Sequence, residues 1–149
     1  MYSRILIGTD GSALADRGVT SGVALAKALG ASAVIMTASE PWVPIGVDTT
    51  GAAVTEYGLA DEYEKAERAA GEEILANAAK LADQSGVAAT TIFVSRQYPA
   101  DAILSTAEAQ HADLIVMASH GRRGVQRLLL GSQANEVLTR SKVPVLIVR

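Results

Sequence analysis

The sequence predicts an α/β protein with an open, five-stranded parallel β-sheet and helices on both of its faces. Five short apolar runs alternate along the chain with four longer segments whose apolar residues recur every three to four positions. These are the patterns of buried strands and amphipathic helices. Their alternation implies right-handed crossovers and parallel strands. We expect the strand order 3-2-1-4-5, which makes the first and fourth strands neighbours.

Composition and charge narrow the class of protein. The 149 residues, 49% hydrophobic and 19% charged, fit one globular domain over residues 1–149. A net charge of −3 gives no general attraction to nucleic acid or anionic lipid, so we expect neither as a partner. The absence of cysteine excludes disulfides and thiol catalysis. The start lacks a secretory pattern and no apolar run is long enough to span a membrane, so we predict a cytoplasmic protein.

The first strand covers residues 4–9, an apolar run that ends in turn residues. Residues 10–12 provide caps for the first helix, and Gly30 ends it. The apolar positions of this helix lie three to four residues apart: Ala15, Val19, Gly22, Ala26 and Leu29. The second strand covers residues 33–39.

Residues 40–59 are predicted to form a long loop, because they lack a sustained period and contain two prolines and three glycines. Loops of this length are usually functional or disordered. The apolar residues Trp42, Val43 and Ile45 would form a lid over a ligand, a dimer contact or a packed loop. A helical pattern returns over residues 61–84, followed by a third strand over residues 89–95.

The last part of the chain supplies the remaining elements and an exposed edge. We predict a helix over residues 99–110, a strand over residues 114–117, a helix over residues 132–141 and a final strand over residues 143–148. No helix follows the final apolar strand, so at the sheet edge its backbone groups would be unpaired. Antiparallel pairing with the same strand of a second copy would satisfy them. We therefore predict a homodimer through residues 143–148.

The loops after the first and fourth strands are the expected ligand site, since ligands bind where the winding of an open parallel sheet reverses. Gly121 lets the backbone turn sharply and leaves amides open to an anion. Gly131 and Ser132 begin a helix, where free N–H groups and the dipole favour phosphate. The amides of Gln133 and Ala134 lie in the same turn. The segment 118–132 therefore predicts a phosphate site.

This segment resembles the nucleotide-binding motif of the universal stress protein family, ATP-binding type. The family pattern is Gly, two residues, Gly, nine residues, then Gly followed by Ser or Thr. Gly121, Gly131 and Ser132 match it, whereas Ala118 replaces the first glycine. The first strand, with its acidic turn, and the last strand also resemble the corresponding strands of the family, so the resemblance covers residues 4–149. It implies a Rossmann-like fold of the adenine nucleotide alpha hydrolase-like type.

The resemblance further implies that the chain binds ATP, normally with Mg²⁺. Asp10 would bond the sugar or base, because a bare carboxylate repels a triphosphate, and Ala38 would offer backbone groups to adenine. The Ala118 methyl would weaken binding if the phosphates or the ribose must touch that backbone. The implied contact residues are Gly8, Thr9, Asp10, Ala38, Met117, Ala118, His120, Gly121, Gly131, Ser132 and Gln133.

Several of these residues also have simpler structural interpretations. Asp10 would serve equally well as a cap of the first helix, and His120 would serve equally well by bonding nearby backbone. His111, near a helix C-terminus, is most simply a favourable charge at the negative end of the dipole. For the arginines of the loop a solvated face is favoured over contact with the γ-phosphate: Arg122, Arg123 and Arg127.

Taken together, these observations favour a nucleotide-responsive regulatory module in a stress response, acting on an unknown partner protein. The sequence shows no nucleophile paired with a base, no paired carboxylates and no metal cluster, so we assign no catalytic residue and expect at most slow ATP hydrolysis. A weak ATPase remains an alternative. So does a scaffold that binds no nucleotide, because of Ala118.

Overall fold

The computed structural model describes residues 1–43, 56–122 and 129–149. Within these ranges the first half of the chain contains β1 (Arg4–Gly8), α1 (Ala13–Leu29), β2 (Ser32–Ala38) and α2 (Glu56–Gln84). The second half contains β3 (Ala89–Val94), α3 (Pro99–Ala109), β4 (Leu114–Ala118), α4 (Ser132–Arg140) and β5 (Val145–Val148). The predicted alternation of strands and helices is confirmed.

The five strands form one parallel sheet in the order β3-β2-β1-β4-β5, as predicted. Strand β1 pairs with both β2 and β4, so the chain winds outward in two directions from the centre of the sheet. Gly8 pairs with Met36, Ala38 with Val94, and Ala118 with Val148. The C-terminal ends of all five strands therefore meet at one edge, where the winding reverses.

Two apolar layers cover the two faces of the sheet. Helices α1 and α2 pack with Ile5, Ile7 and Ile35 on one face. Helices α3 and α4 pack with Leu6 and other apolar strand residues on the opposite face. This arrangement follows from the strand order, because right-handed crossovers in opposite directions place their helices on opposite faces. The predicted helices on both faces are confirmed.

Small residues let the helices approach the sheet closely. A side chain at Gly71 of α2 would overlap the Phe93 ring of β3, so only glycine fits there. Arg68, about one turn before Gly71, also packs on Phe93. Its guanidinium carbon lies 4.9 Å from the centre of the ring. Among the described residues, no helix is long and apolar enough to cross a bilayer.

Two predicted boundaries are wrong by more than one residue. Helix α2 begins at Glu56 rather than residue 61, so residues 56–59 are helical, whereas residues 44–55 lie outside the described ranges. Strand β5 begins at Val145 rather than residue 143. Val143 lies in a bend before the strand, where its N–H donates to Ser141 Oγ over 3.2 Å. The other predicted boundaries agree to within one residue.

At the opposite end of the strands, where β1 and β4 begin, the Asp113 carboxylate joins the two strands. Asp113 Oδ2 accepts hydrogen bonds from the Ser3 amide and Ser3 Oγ, both over 2.8 Å, and Oδ1 accepts from the Arg4 amide over 3.0 Å. Partial burial acts to raise the pKa of Asp113, but the bonds from Ser3 and Arg4 outweigh it and leave the pKa lowered. These hydrogen bonds fix the start of β1 against the start of β4.

Candidate functional site

A cavity of about 450 Å³ lies at the C-terminal edge of the sheet. This volume is within the range of small-molecule sites. It collects residues from the ends of β1, β2 and β4 and from the first turn of α4. All eleven residues implied by the family motif line it: Gly8, Thr9, Asp10, Ala38, Met117, Ala118, His120, Gly121, Gly131, Ser132 and Gln133.

The loop after β1 is a tight turn stabilised by its own side chains. The Thr9 amide donates to the Met36 carbonyl over 3.0 Å, and Thr9 Oγ1 accepts from the Gly11 amide over 3.1 Å. Gly11 has φ of 76°, in the left-handed region that favours glycine. Ser12 caps α1, because its Oγ accepts from the Ala15 amide over 3.2 Å. The cap interpretation of Asp10 is therefore wrong.

Asp10 instead joins the two loops that flank the cavity. Its Oδ1 accepts from the Ser12 amide over 3.0 Å, and its Oδ2 accepts from the Arg122 amide over 2.7 Å. In return, Arg122 Nε donates to the Asp10 carbonyl over 2.8 Å. We call these contacts the Asp10–Arg122 clasp. Arg122 is exposed, as the interpretation of a solvated face predicts, but its side chain also bonds Asp10. Arg123 and Arg127 lie outside the described residues.

Gly121 is a glycine because of this clasp. Its φ is not in the left-handed region, so the predicted sharp turn is not the reason. A Cβ at residue 121 would overlap Asp10 Oδ2. The next amide, that of Arg122, is already bonded to Asp10 and is not open to an anion. This part of the predicted phosphate site is therefore corrected.

The N-terminus of α4 supplies the open amides. Gly131 is the N-cap residue, and its own amide donates to the Ser119 carbonyl over 2.8 Å, so it is not available to a ligand. The amides of Ser132, Gln133 and Ala134 have no acceptor among the described residues. Three amides of one helical turn point toward the cavity side of the sheet, where the helix dipole also favours an anion.

Gln133 has two separate roles in the structure. Its side-chain Oε1 accepts from the Ala100 amide over 2.8 Å, at the start of α3. The N-cap residue of α3, Tyr98, provides no side-chain bond there. Gln133 therefore caps α3 with its side chain, whereas only its backbone amide is open to a ligand.

The two histidines differ in their positions. His120 lines the cavity, and its Nδ1 lies 3.1 Å from Ser119 Oγ. A serine is thus paired with a histidine, which the sequence-based interpretation excluded, but Ser119 is buried and does not line the cavity. His111 follows α3 with φ of 52°, so it ends the helix in a left-handed conformation.

Helix α2 and strand β3 form a wall of the cavity that the sequence did not predict. The residues of α2 that line it include Tyr63, Glu67, Ala70 and Ile74, and Phe93 of β3 lies beside them. The wall is fixed to the loop after β3 by an ion pair between Glu64 and Arg96. No local motif marks these residues, since they join the site only through the packing of α2 on the sheet. Trp42 and Val43 precede the undescribed residue Ile45 and do not line the cavity.

The charges at the cavity are unevenly distributed. Three carboxylate side chains line it, those of Asp10, Glu40 and Glu67. Arg122 is the only lysine or arginine among the described lining residues. No group of three or more His, Asp or Glu side chains in the described parts of the chain is arranged to hold a metal ion. An anion would therefore meet backbone amides and one guanidinium.

The sequence matches the universal stress protein family over residues 1–149. It is 37% identical to a universal stress protein of Thermus aquaticus and 33% identical to the universal stress protein YxiE of Bacillus subtilis, in each case over 149 residues and the full length of both chains. It is also similar to a universal stress protein whose crystal structure was determined in complex with cAMP. That likeness has a TM-score of 0.69 and 30% identity, and covers 99% of this chain and 97% of the other. This chain belongs to the universal stress protein family.

Proposed function

We propose that this chain is a cytoplasmic regulatory module of a stress response that binds ATP, together with Mg²⁺, in the cavity at the C-terminal edge of the sheet. The observation that carries the proposal is the set of three unpaired amides at the start of α4, residues 132–134. A related protein in complex with cAMP supports an adenine nucleotide as the ligand class. In the proposed cycle, the bound nucleotide changes the contacts of the module with a partner protein.

The adenine end of the ligand is proposed to lie beside Ala38. The Met36 carbonyl points toward β1, where it accepts from the Thr9 amide. Because backbone groups alternate along a strand, the Ala38 carbonyl points the same way, beyond the end of β1. It is therefore suited to accept a hydrogen bond from an exocyclic amine. Asp10 is proposed to approach the sugar, although its carboxylate already accepts two backbone amides.

The residues that line the cavity fit a Mg²⁺ ion only as a companion of the phosphates. With no three-residue cluster of His, Asp or Glu among the described residues, the ion would be held mainly by phosphate oxygens and water. Mg²⁺ would supply charge neutralisation for the triphosphate. Among the lining residues of the described chain, no serine or threonine is paired with a base. We therefore propose slow hydrolysis at most.

A carboxylate at residue 132 tests the phosphate site without disturbing the helix. Ser132→Asp places a negative charge among the three amides, and like charges about 4 Å apart repel by about 1 to 4 kcal/mol near a protein surface. We expect the affinity for Mg-ATP, measured by calorimetry, to fall at least about tenfold. The stability of α4 should hold or rise, since an acidic residue in the first turn favours a helix.

Ser132→Asn is the matched control, because it has the same shape without the charge. Its affinity for Mg-ATP should stay close to that of the original chain. Equal affinities for Ser132→Asp and Ser132→Asn would contradict the site. Gly131→Asp is a poorer test, because a Cβ there would lie 3.1 Å from the Ser119 carbonyl oxygen and would shift the loop.

A scaffold that binds no nucleotide is the second candidate, favoured by one observation. Ala118 lines the cavity at the position where the family motif has glycine. Ala118 is a regular strand residue paired with Val148, so its backbone conformation is compatible with alanine. Mass spectrometry of nucleotide released from the purified protein separates the two candidates. A turnover assay with Mg-ATP then tests for catalysis, because a rate of many turnovers per second would support an enzyme.

We also propose a homodimer formed through β5. The strand lies at the edge of the sheet and pairs only with β4 among the described strands. Leu146 of this strand is 39% exposed, and Leu138 of the neighbouring α4 is 42% exposed. An open strand edge next to exposed leucines favours pairing with a second copy.

A further inference from the structure

The Asp10–Arg122 clasp holds a guanidinium at the cavity that is not neutralised by an ion pair with any described carboxylate. Arg122 uses Nε to bond the Asp10 carbonyl oxygen and its backbone amide to bond the Asp10 carboxylate. The guanidinium itself forms no ion pair among the described residues. A guanidinium held at Nε keeps its two terminal amino groups in a fixed orientation, with donors left for an anion.

This guanidinium and the open amides of α4 both line the cavity. The Gly131 amide bonds the Ser119 carbonyl, three residues before Arg122. Three residues span at most about 10 Å of chain. Gly121, between them, lies against Asp10, which ties this segment to the loop after β1. The segment that carries Arg122 is therefore joined to the start of α4, and Arg122 and the first turn of α4 both line the cavity.

Arg122 is a positive charge in a cavity whose other charged side chains, among the described residues, are carboxylates. Three amides at a helix N-terminus suit one phosphate group. Each further phosphate adds negative charge, and the other charged side chains that line the described cavity are the carboxylates Asp10, Glu40 and Glu67. Those carboxylates repel additional phosphates. Arg122 is the only described lysine or arginine at the cavity that offsets this repulsion.

We propose that Arg122 is the residue that selects nucleotides by the number of their phosphates. In this assignment the α4 amides hold one phosphate of any adenine nucleotide, and the Arg122 guanidinium binds the phosphates beyond it. The clasp with Asp10 is the positioning device, because it sets where the guanidinium lies. The inference rests on the proposed nucleotide binding and deepens it.

The experiment compares the affinities for AMP, ADP and ATP, each with Mg²⁺, by calorimetry for four proteins. These are the original chain, Arg122→Ala, Arg122→Lys and the control Arg17→Ala. Arg17 is an exposed arginine of α1 that does not line the cavity. The affinity for AMP reports whether the loop and the α4 amides remain in place.

For Arg122→Ala we expect the affinity for ATP to fall roughly ten- to a hundred-fold, the usual effect of losing charged hydrogen bonds. The affinity for AMP should change by less than about three-fold, because its phosphate uses the amides. Arg122→Lys should recover part of the ATP affinity, since it keeps the charge but loses the Nε contact. Arg17→Ala should match the original chain.

Three results would overturn the inference. An equal loss of AMP and ATP affinity in Arg122→Ala would assign the residue to loop structure alone. An unchanged ratio of ATP to AMP affinity with no loss of either would show that the guanidinium does not contact phosphate. If the original chain binds none of the three nucleotides, the proposed function fails first, and this inference fails with it.

Discussion

At the scale of single residues, the site depends on two glycines that are needed for space and not for an unusual backbone angle. A Cβ at residue 121 would overlap the Asp10 carboxylate, and one at residue 131 would crowd the Ser119 carbonyl and the His120 backbone. The first contact joins segments more than a hundred residues apart, and the second joins the end of β4 to the start of α4. The glycines of the family motif therefore allow the loops to touch, and the open amides belong to the residues after Gly131.

Gly121→Ala tests this account of the motif. The added methyl group must displace Asp10, which breaks its bond to the Arg122 amide, so we expect a loss of about 1 to 3 kcal/mol in the free energy of unfolding. Affinity for Mg-ATP should fall together with stability. Thermal unfolding and calorimetry measure the two effects.

Gly58→Ala is the matched control for that substitution. Nothing lies within 4 Å of a Cβ at Gly58, which is in α2. Alanine there should raise stability by about 0.5 to 1 kcal/mol through helix propensity. If Gly121→Ala were as stable as the original chain, the proposed overlap with Asp10 would be wrong.

At the scale of elements, the first turn of α4 connects the cavity to α3. Its backbone amides face the cavity, and the Gln133 side chain caps α3. Helix α3 begins with Pro99 and has no side-chain cap of its own. One short segment therefore holds the orientation of two helices and carries the open amides, so the position of α3 depends on the same turn as the proposed anion site.

Gln133→Ala should separate these two roles. It removes the acceptor for the Ala100 amide, and loss of a helix cap costs about 0.5 to 2 kcal/mol of stability. The backbone amide of residue 133 remains, so the affinity for Mg-ATP should change little. Chemical denaturation gives the stability. Gln133→Glu keeps an acceptor oxygen and should retain most of the stability, and equal stabilities of the alanine variant and the original chain would argue against the cap.

At the scale of the whole molecule, the open edge of β5 decides how copies would associate. The carbonyls of Pro144 and Val148 accept from the Ile115 and Ser119 amides of the β4 side. Because backbone direction alternates along a strand, the N–H and C=O groups of Ile147 point away from β4, toward the open edge. These outward groups are the ones that a second copy would pair.

Ile147→Pro removes one outward N–H group and leaves the bonds to β4 intact. We expect the dimer to dissociate to a monomer in light scattering after size-exclusion chromatography, while circular dichroism shows a folded protein. Ile147→Ala is the control, because it loses the same packing in the apolar layer but keeps the N–H group. A proline variant that stayed dimeric would rule out pairing through this edge.

The sequence by itself determined the order and type of the elements and the place of the open amides. Strand and helix patterns are local, and a helix N-terminus needs only backbone to bind an anion, so spacing such as that of Gly131 and Ser132 is sufficient. The tertiary structure alone decided which groups remain free. Contacts such as that of Asp10 with Arg122, 112 residues away, and the wall formed by α2 depend on how distant segments pack, which no local pattern encodes.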